Sequence, residues 1–279
     1  MADLLAPLSA DFREGIHSIC RQLRNRKHQA FLVGGAVRDL LINRIPADAD
    51  IATSARPEEI QEIFPRTVPT GLKHGTITVL EKGRAYEVTT FRSDGNYSDG
   101  RHPDQITLGV SLEEDLARRD FTINALAYDP IDGRLIDLFG GQEDLSRKLI
   151  RAIGEPRDRF KEDGLRPVRA CRFAASLGGA IEEHTWQALL LPDVRAIAGH
   201  IALERFAQEI RKGLQQNPRL LFLLLLESRL LELYWPSGQK WPAVIPPEMD
   251  QVLPLEMRLA FFFHKNTIEI GRASCRERE

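Results

Sequence analysis

The stretch that most constrains this chain runs from Phe31 to Thr53 and reads FLVGGAVRDLLINRIPADADIAT. It opens with a short apolar run typical of a buried strand, breaks at a glycine pair, and resumes with the apolar spacing of a helix. Glycines at such a turn let backbone approach a ligand, and the unpaired amides of the first helical turn favour a phosphate. The pattern predicts that Gly35 and Arg38 hold a phosphate. The alternative is a simple tight turn.

Two carboxylates stand at the far end of the same stretch. Asp48 and Asp50 run into β-favouring residues, and in a strand the side chains at i and i+2 point to the same face. Carboxylates that close repel each other unless a cation lies between them, and oxygen ligands suit Mg²⁺ that also touches substrate phosphates. We therefore predict a Mg²⁺ site with Asp48 and Asp50 as catalytic, metal-binding residues. The alternative is a solvated acidic turn before an edge strand.

Composition limits the kinds of protein that fit. The 279 residues suffice for two domains, and 43% apolar with 28% charged residues is typical of an ordinary soluble protein. With 38 basic and 40 acidic residues no overall positive field attracts nucleic acid, so such binding needs a local patch, and basic residues do concentrate between Arg147 and Arg172. The sequence shows no signal peptide, no apolar run of membrane-spanning length, and no disulfide or metal spacing among its three cysteines. These patterns predict a cytoplasmic protein without a membrane partner.

The motifs GGAVRDLL and DADIAT together resemble the signature of the tRNA nucleotidyltransferase and poly(A) polymerase family in its bacterial, class II form. The resemblance continues through YEVTTFRSDGNYSDGRHPD, SLEEDLARRDFTINALAYDP and EDGLRPVRACRFAASLG, in motif order. It implies an α+β fold, with a polymerase-β-like nucleotidyltransferase head at 1–150, an all-α neck at 151–235 and a partial helical body at 236–268. The segment 269–279 has no apolar periodicity and looks non-native. A native charged, disordered C-terminus is the alternative.

The resemblance also implies an activity, which is Mg²⁺-dependent addition of C and A from CTP and ATP to the 3′ end of tRNA. Poly(A) polymerases of the family carry a basic Gly-Arg-Arg-Phe-type segment after the metal strand, where this chain has PRTVPTGLKHGT at 65–76, and this difference favours tRNA. A poly(A) polymerase, a CC-only or A-only enzyme, and a non-catalytic RNA- or nucleotide-binding module are the alternatives.

Two further site residues follow from the resemblance. Polymerase-β-like sites commonly use a third carboxylate on a neighbouring strand, and Glu87 is the candidate if Tyr86 and Val88 face the core. A solvent-facing strand residue is the alternative. By the family motif Arg119 is assigned to the nucleotide. Adjacent helix positions point to different faces, so we expect Arg118 to make a structural ion pair instead.

The segment KEDGLRPVRACRF carries the candidates for base recognition. Asp163, Arg166, Arg169 and Arg172 recur every three residues, which makes each a neighbour of the next along a helix. Asp163 and Arg166 present an acceptor beside a donor, which matches the pairing edges of cytosine and adenine but not of uracil or guanine. We predict that this pair selects the base, with an ordinary i,i+3 salt bridge as the alternative. Arg169 and Arg172 are predicted to bind nucleotide phosphates or to make ion pairs between head and neck. Pro167 implies that the helix begins near Asp163 or is kinked there.

Overall fold

The computed structural model describes residues 3–95, 97, 100 and 103–234. The chain divides into two compact units. The first, here called the head unit, comprises Met1–Ser98, His102–Arg147 and Arg151–Glu155; the second, the helical unit, comprises Asp99–Arg101, Lys148–Ile150 and Pro156–Glu279. The predicted α+β fold class is confirmed. The four domain ranges stay predictions, and the segments 236–268 and 269–279 lie outside the described residues.

The head unit is organised by a mixed sheet. Its strands are β1 (Ala30–Val33), β2 (Asp50–Thr53), β3 (Thr67–Gly71), β4 (Thr76–Glu81), β5 (Arg84–Thr90), β6 (Arg92–Asp94), β7 (Ile106–Leu108), β8 (Leu126–Asp129) and β9 (Arg134–Asp137). Seven of them lie in the order β3-β4-β5-β2-β1-β8-β9. Strands β2 and β5 run parallel, whereas the other neighbours in this sheet are antiparallel. The β-favouring segments 76–80 and 85–91, separated by EKGR, predict a hairpin, which is confirmed as β4 and β5.

Strands β6 and β7 pair with each other outside this sheet. The Gly, Ser, Asp and Pro content of Arg92 to Asp104 predicts a loop, and this prediction is wrong at its start, where β6 forms. The polar Arg-Ser-Asp sequence has little intrinsic preference for a strand, and here the pairing with β7 decides the local structure.

Five helices cover the described part of the head unit. They are α1 (Ala10–Asn25), α2 (Gly35–Leu41), α3 (Pro57–Ile63), α4 (Leu112–Ala117) and α5 (Gly141–Ser146). The sequence SLEE at 111–114 predicts a capping box at the start of a helix. The structure confirms it, because the Ser111 hydroxyl accepts from the Glu114 amide while the Glu114 carboxylate accepts from the Ser111 amide. This box fixes where α4 begins, and α4 ends directly before Arg118.

The two faces of the head sheet have different neighbours. Ile51, Tyr86 and Val88 are buried in one core together with the apolar side of α1. Val33 and Ala52 point to the opposite face, into a second core. Because side chains alternate along a strand, Asp50 and Glu87 emerge on the face opposite to α1.

The helical unit contains α6 (Pro156–Glu162), α7 (Arg166–Leu177), α8 (Glu183–Leu189), α9 (Pro192–Ala198), α10 (Leu203–Leu214) and α11 (Pro218–Glu227). Helix α7 packs against α10 and α11. The apolar spacing from about Gln142 onward predicts helices throughout. This prediction is wrong at β10 (Leu149–Ile150) and β11 (Ala180–Ile181), two short strands that pair in parallel. Within the described ranges, no helix is long and apolar enough to pass through a membrane.

Candidate active site

A cavity of about 210 Å³ opens on the sheet face opposite to α1, inside the head unit. Its walls carry two carboxylates, Asp50 and Glu87, and three guanidinium groups, from Arg92, Arg118 and Arg119. A cavity lined by both acidic and basic groups suits a ligand that carries both positive and negative charge. A nucleoside triphosphate with a bound divalent cation has that character.

The two carboxylates lie side by side because of the strand register. Strands β2 and β5 run parallel with Asp50 directly opposite Glu87. Tyr86 and Val88 are fully buried in the core, so Glu87, which lies between them on the strand, points to the opposite face. The geometry therefore brings Glu87 to Asp50, and its role as a metal ligand stays a prediction.

Asp48 lies two residues before the first residue of β2 and is exposed. The strand alternation used to place it beside Asp50 therefore does not apply, because Asp48 precedes the strand. The two carboxylates are nevertheless close enough to interact. The pKa of Asp50 is raised to about 6, first because the carboxyl group loses hydration and then because Glu87 and Asp48 place negative charge beside it; Arg119 acts in the opposite direction.

Three arginines, Arg92, Arg118 and Arg119, also line the cavity and are here called the arginine wall. Asp115, whose side chain is 1% exposed, accepts hydrogen bonds from Arg118 Nη2 at 2.9 Å and from Arg119 Nη2 at 3.1 Å. Arg118 Nη1 also lies 3.4 Å from Asp94 Oδ2. Burial, and then the charge of Arg118, lower the pKa of the Arg92 guanidinium. Clustered cations of this kind suit an anionic ligand.

The ion pair expected of Arg118 is present, with Asp115 as its partner. The expectation that Arg118 and Arg119 serve different faces is wrong, because both line the cavity and both reach the carboxylate of Asp115. The physical reason is that α4 ends at Ala117, so the two arginines follow in a turn from which both side chains reach the acid three and four residues earlier.

The glycine turn joins this arginine wall. Gly34 has φ +69°, and a Cβ at that position would lie 2.9 Å from Arg119 Nη1. Gly35 is the first residue of α2, and Arg38 stands one turn further. Arg38 Nη1 donates to Asn124 Oδ1 at 2.6 Å, and Nη2 donates to Asp39 at 2.7 Å. The structure thus brings the predicted phosphate-binding residues next to Arg119.

Sequence reasoning overlooked four members of this arrangement: Arg92, Arg118, Asp115 and Asn124. A signal for one of them was available, since Asp115 stands three and four residues before the arginine pair. For Arg92 and Asn124 the local sequence contains no such spacing. Their positions depend on the pairing of β6 and on the turn that precedes β8.

The base-recognition candidates lie in the helical unit. Asp163 is in a short turn after α6, so it is not on the helix that carries Arg166, Arg169 and Arg172. Pro167 stands in the first turn of α7, where a proline is tolerated. The prediction of one continuous stripe is therefore wrong at Asp163.

The partners of these residues also differ from the expected pair. Asp163 Oδ2 accepts from Arg205 Nη2 at 3.2 Å, and Arg166 Nη1 donates to Glu162 and to the Arg159 carbonyl, the latter at 2.9 Å. The Arg172 guanidinium is buried, donates to Glu209 and lies 3.7 Å from the centre of the Phe173 ring. Arg169 Nη1 is 3.8 Å from the same glutamate. Asp163 and Arg166 are thus each held by a charged partner within the helical unit.

The carboxylates fit the predicted Mg²⁺. Asp48, Asp50 and Glu87 offer oxygen atoms alone, and loss of hydration, followed by the charges of Glu87 and Asp48, raises the pKa of Asp50. Among the described residues no group of three or more acidic, histidine or cysteine side chains forms a ready-made metal cage. Mg²⁺ commonly binds through one or two carboxylates and completes its shell with water and substrate phosphates, so this donor set is adequate.

The sheet and the cavity define a nucleotidyltransferase head of the polymerase-β-like kind. A family model described as the poly A polymerase head domain matches residues 30–151. The chain is 52% identical over 194 residues to a CCA-adding enzyme of Geobacillus kaustophilus, covering 70% of this chain and 47% of that protein. It is 48% identical over 226 residues to the CCA-adding enzyme of Geobacillus stearothermophilus, covering 81% and 55%. The chain belongs to the tRNA nucleotidyltransferase and poly(A) polymerase family.

Solved structures agree with this assignment. The Bacillus stearothermophilus CCA-adding enzyme in complex with CTP superposes with a TM-score of 0.72 at 45% identity, over 80% of this chain and 53% of that one. A Thermotoga maritima CCA-adding enzyme complexed with tRNA superposes with a TM-score of 0.69 at 26% identity, over 86% and 56%. The chain spans about half the length of the curated relatives it matches.

Proposed function

We propose that this chain adds C and A nucleotides from CTP and ATP to the 3′ end of tRNA without a nucleic-acid template. One observation carries the proposal: Asp50 and Glu87 stand in register on parallel strands and line one cavity together with Arg92, Arg118 and Arg119. That arrangement suits a triphosphate whose α-phosphate lies at the carboxylates and whose remaining phosphates lie at the arginines. Relatives named CCA-adding enzyme indicate the substrate.

In the proposed reaction the terminal 3′ hydroxyl of the RNA attacks the α-phosphate, a phosphodiester forms, and pyrophosphate leaves. Asp48 and Asp50, with Glu87 as a third candidate, would hold Mg²⁺, which when bound supplies Lewis-acid polarisation of the phosphate and a lowered pKa of the attacking hydroxyl. The arginine wall stabilises the charge that develops on the departing pyrophosphate. Gly35 and Arg38 complete the phosphate contacts at the glycine turn.

Asp163 and Arg166 are proposed to select the base. Each carboxylate oxygen has two lone pairs, so Asp163 can accept from a base while it pairs with Arg205. Arg166 is fixed by Glu162, which restricts where its remaining donors point. A fixed acceptor and a fixed donor discriminate between bases better than mobile ones. Arg169 remains a candidate for a nucleotide phosphate, whereas the buried pairing of Arg172 with Glu209 favours a structural role.

The decisive experiment incubates the purified chain with Mg²⁺ and tRNA transcripts that lack the last three, two or one of the terminal C, C and A residues. Each labelled nucleoside triphosphate is supplied separately. We expect incorporation of C, C and A in that order and none of U or G. Long runs of A on any RNA would instead support a poly(A) polymerase, and addition of C alone or A alone would identify the narrower enzymes. Absence of any transfer with retained RNA binding would support the non-catalytic module. The cytoplasmic location stays a prediction.

A further inference from the structure

Asp115 accepts hydrogen bonds through both of its carboxylate oxygens. Its Oδ1 atom accepts from Arg118 Nη2 at 2.9 Å, from Arg118 Nε at 3.2 Å and from the backbone amide of Arg92 at 3.3 Å. Its Oδ2 atom accepts from Arg119 Nη2 at 3.1 Å. One carboxylate therefore touches all three residues that supply the positive wall of the cavity.

The contacts of Asp115 with the two arginines favour its ionised, carboxylate form. The Asp115 side chain is 1% exposed, whereas Arg118 and Arg119 are each 19% exposed. The two guanidinium charges outweigh the loss of hydration, and the pKa of Asp115 is lowered. An acid that is buried and still ionised holds its donors in a fixed geometry, because every alternative position leaves a charge unpaired.

A second acid touches the same arginines. Asp94 lies 3.3 Å from Arg92 Nε and 3.4 Å from Arg118 Nη1. Among the described residues the Nε atoms of Arg92 and Arg119 are buried without a hydrogen-bond partner. Carboxylates thus hold the cluster together, while the cavity that it lines keeps three guanidinium groups.

We infer that Asp115 is a positioning residue that aims Arg118 and Arg119 at the β- and γ-phosphates of the incoming nucleoside triphosphate. The inference rests on the proposed function, because it names which part of the same site recognises the phosphates beyond the α-phosphate. It distinguishes Asp115 from the carboxylates on β2 and β5, which serve the metal. Its effect is exerted through the arginines, without contact to the nucleotide.

The variant Asp115→Asn tests this because it keeps the shape and removes the charge. The new amide group has only one acceptor, so its nitrogen must face a donor of Arg118 or Arg119 and one arginine loses its anchor. Hydrogen bonds to charged groups are strong enough that we expect the Kd of CTP to rise about tenfold. The Kd of CMP should stay within about twofold, since CMP has no β- or γ-phosphate.

Binding of CTP and of CMP is measured by titration calorimetry on the full chain with Mg²⁺. The control Glu113→Gln removes the same charge from an exposed position on α4 and should leave both constants unchanged. Asp115→Glu keeps the negative charge on a longer side chain. Its ratio of the Kd of CTP to the Kd of CMP should lie between the ratios of wild type and Asp115→Asn. A purely structural role would weaken CTP and CMP alike.

A CTP-to-CMP ratio in Asp115→Asn equal to that of wild type would overturn the inference while leaving the proposed function intact. If Asp115→Asn does not fold, an unchanged ratio in Asp115→Glu overturns it in the same way. Failure of the wild-type chain to bind CTP at all would remove the proposed function and the inference together. In combination with Arg119→Ala, Asp115→Asn should add less loss of CTP affinity than it causes alone, because both changes act on one guanidinium.

Discussion

Asp50 sits where an ionised carboxylate is opposed by its surroundings. Lost hydration and two acidic neighbours raise its pKa to about 6 from the ordinary 3.8, and only Arg119 opposes them. A site that destabilises its own charge in this way is poised for a cation. The same residue therefore links the stability of the head unit to the metal that the site is expected to take.

The sign of the pH effect follows from linkage. An acid whose pKa is higher in the folded state binds its proton more tightly there, so stability falls as pH rises from about 4 to about 6 and stays low above that. With a chelator present, we expect Asp50→Asn to melt at a higher temperature than wild type at pH 8, with a gain that shrinks toward pH 4. Added Mg²⁺ should raise the melting temperature of wild type and not of this variant. An equal gain at both pH values would contradict the assigned cause.

Catalysis gives a second test at the same scale. Asp48→Asn and Asp50→Asn should each abolish nucleotide transfer, because an amide neither balances the metal charge nor ligates it with an anionic oxygen. Far-ultraviolet circular dichroism should be unchanged in both. Transfer within a few-fold of wild type in both variants would remove these residues from the mechanism. Glu87→Gln, measured in parallel, decides whether the third carboxylate is a ligand.

At the level of elements, the turn between β1 and α2 couples backbone conformation to the arginine wall. Gly34 needs its positive φ, and a side chain there would press on Arg119. Gly83 in the hairpin between β4 and β5 also has positive φ, at 74°, but has no neighbouring atom within 4 Å of an added Cβ. A substitution at Gly83 would strain the backbone alone, whereas a substitution at Gly34 would strain the backbone and also displace Arg119.

We expect Gly34→Ala and Gly83→Ala each to lower the free energy of unfolding by roughly 1–2 kcal/mol, from the left-handed backbone they force on alanine. Only Gly34→Ala should also weaken CTP binding, since it displaces Arg119. Chemical denaturation and calorimetry measure the two effects. Equal CTP affinity in both variants would mean that the turn is structural only.

The pair of Arg172 and Glu209 makes a different prediction for α7 and α10. Both residues are buried, and breaking a buried ion pair by removing one charge commonly costs about 3–5 kcal/mol. Arg172→Gln should therefore lower the free energy of unfolding of the helical unit by that order, while Arg211→Gln at an exposed position of α10 changes it little. A stable Arg172→Gln protein with weakened CTP binding would instead restore the predicted contact to nucleotide.

The sequence predicted those parts of the structure that depend on local spacing. The glycine turn, the hairpin and the Ser111 capping box each follow from a few neighbouring residues. Other features depend on contacts between distant segments, which the local spacing of residues does not determine. Examples are the parallel pairing that brings Glu87 to Asp50 and the ion pair between Asp163 and Arg205. Arg118 differs from these, because its pairing with Asp115 follows from a local spacing of three residues.

For the whole molecule, base selection is the function that we propose for Asp163 and Arg166 in the helical unit. Asp163→Ala should weaken the preference for CTP and ATP over UTP and GTP, because a good paired contact contributes about 1–3 kcal/mol of discrimination. Arg205→Gln is the matched control, since it breaks the same ion pair and keeps the carboxylate. Competition between labelled nucleotides measures the ratio. Unchanged selectivity in Asp163→Ala would leave this residue with its salt bridge alone.

Strands β2 and β5 join in parallel, and parallel neighbours cannot be closed by a short turn as hairpins can. The crossover here contains α3 and the β3–β4 pair, so Asp50 and Glu87 meet only after that entire segment has folded back. Non-local pairings of this kind are slow steps relative to local ones. A chain that is still folding therefore cannot bind nucleotide and metal until the crossover has folded. During refolding, the rate at which ligand binding appears measures the rate at which the crossover forms.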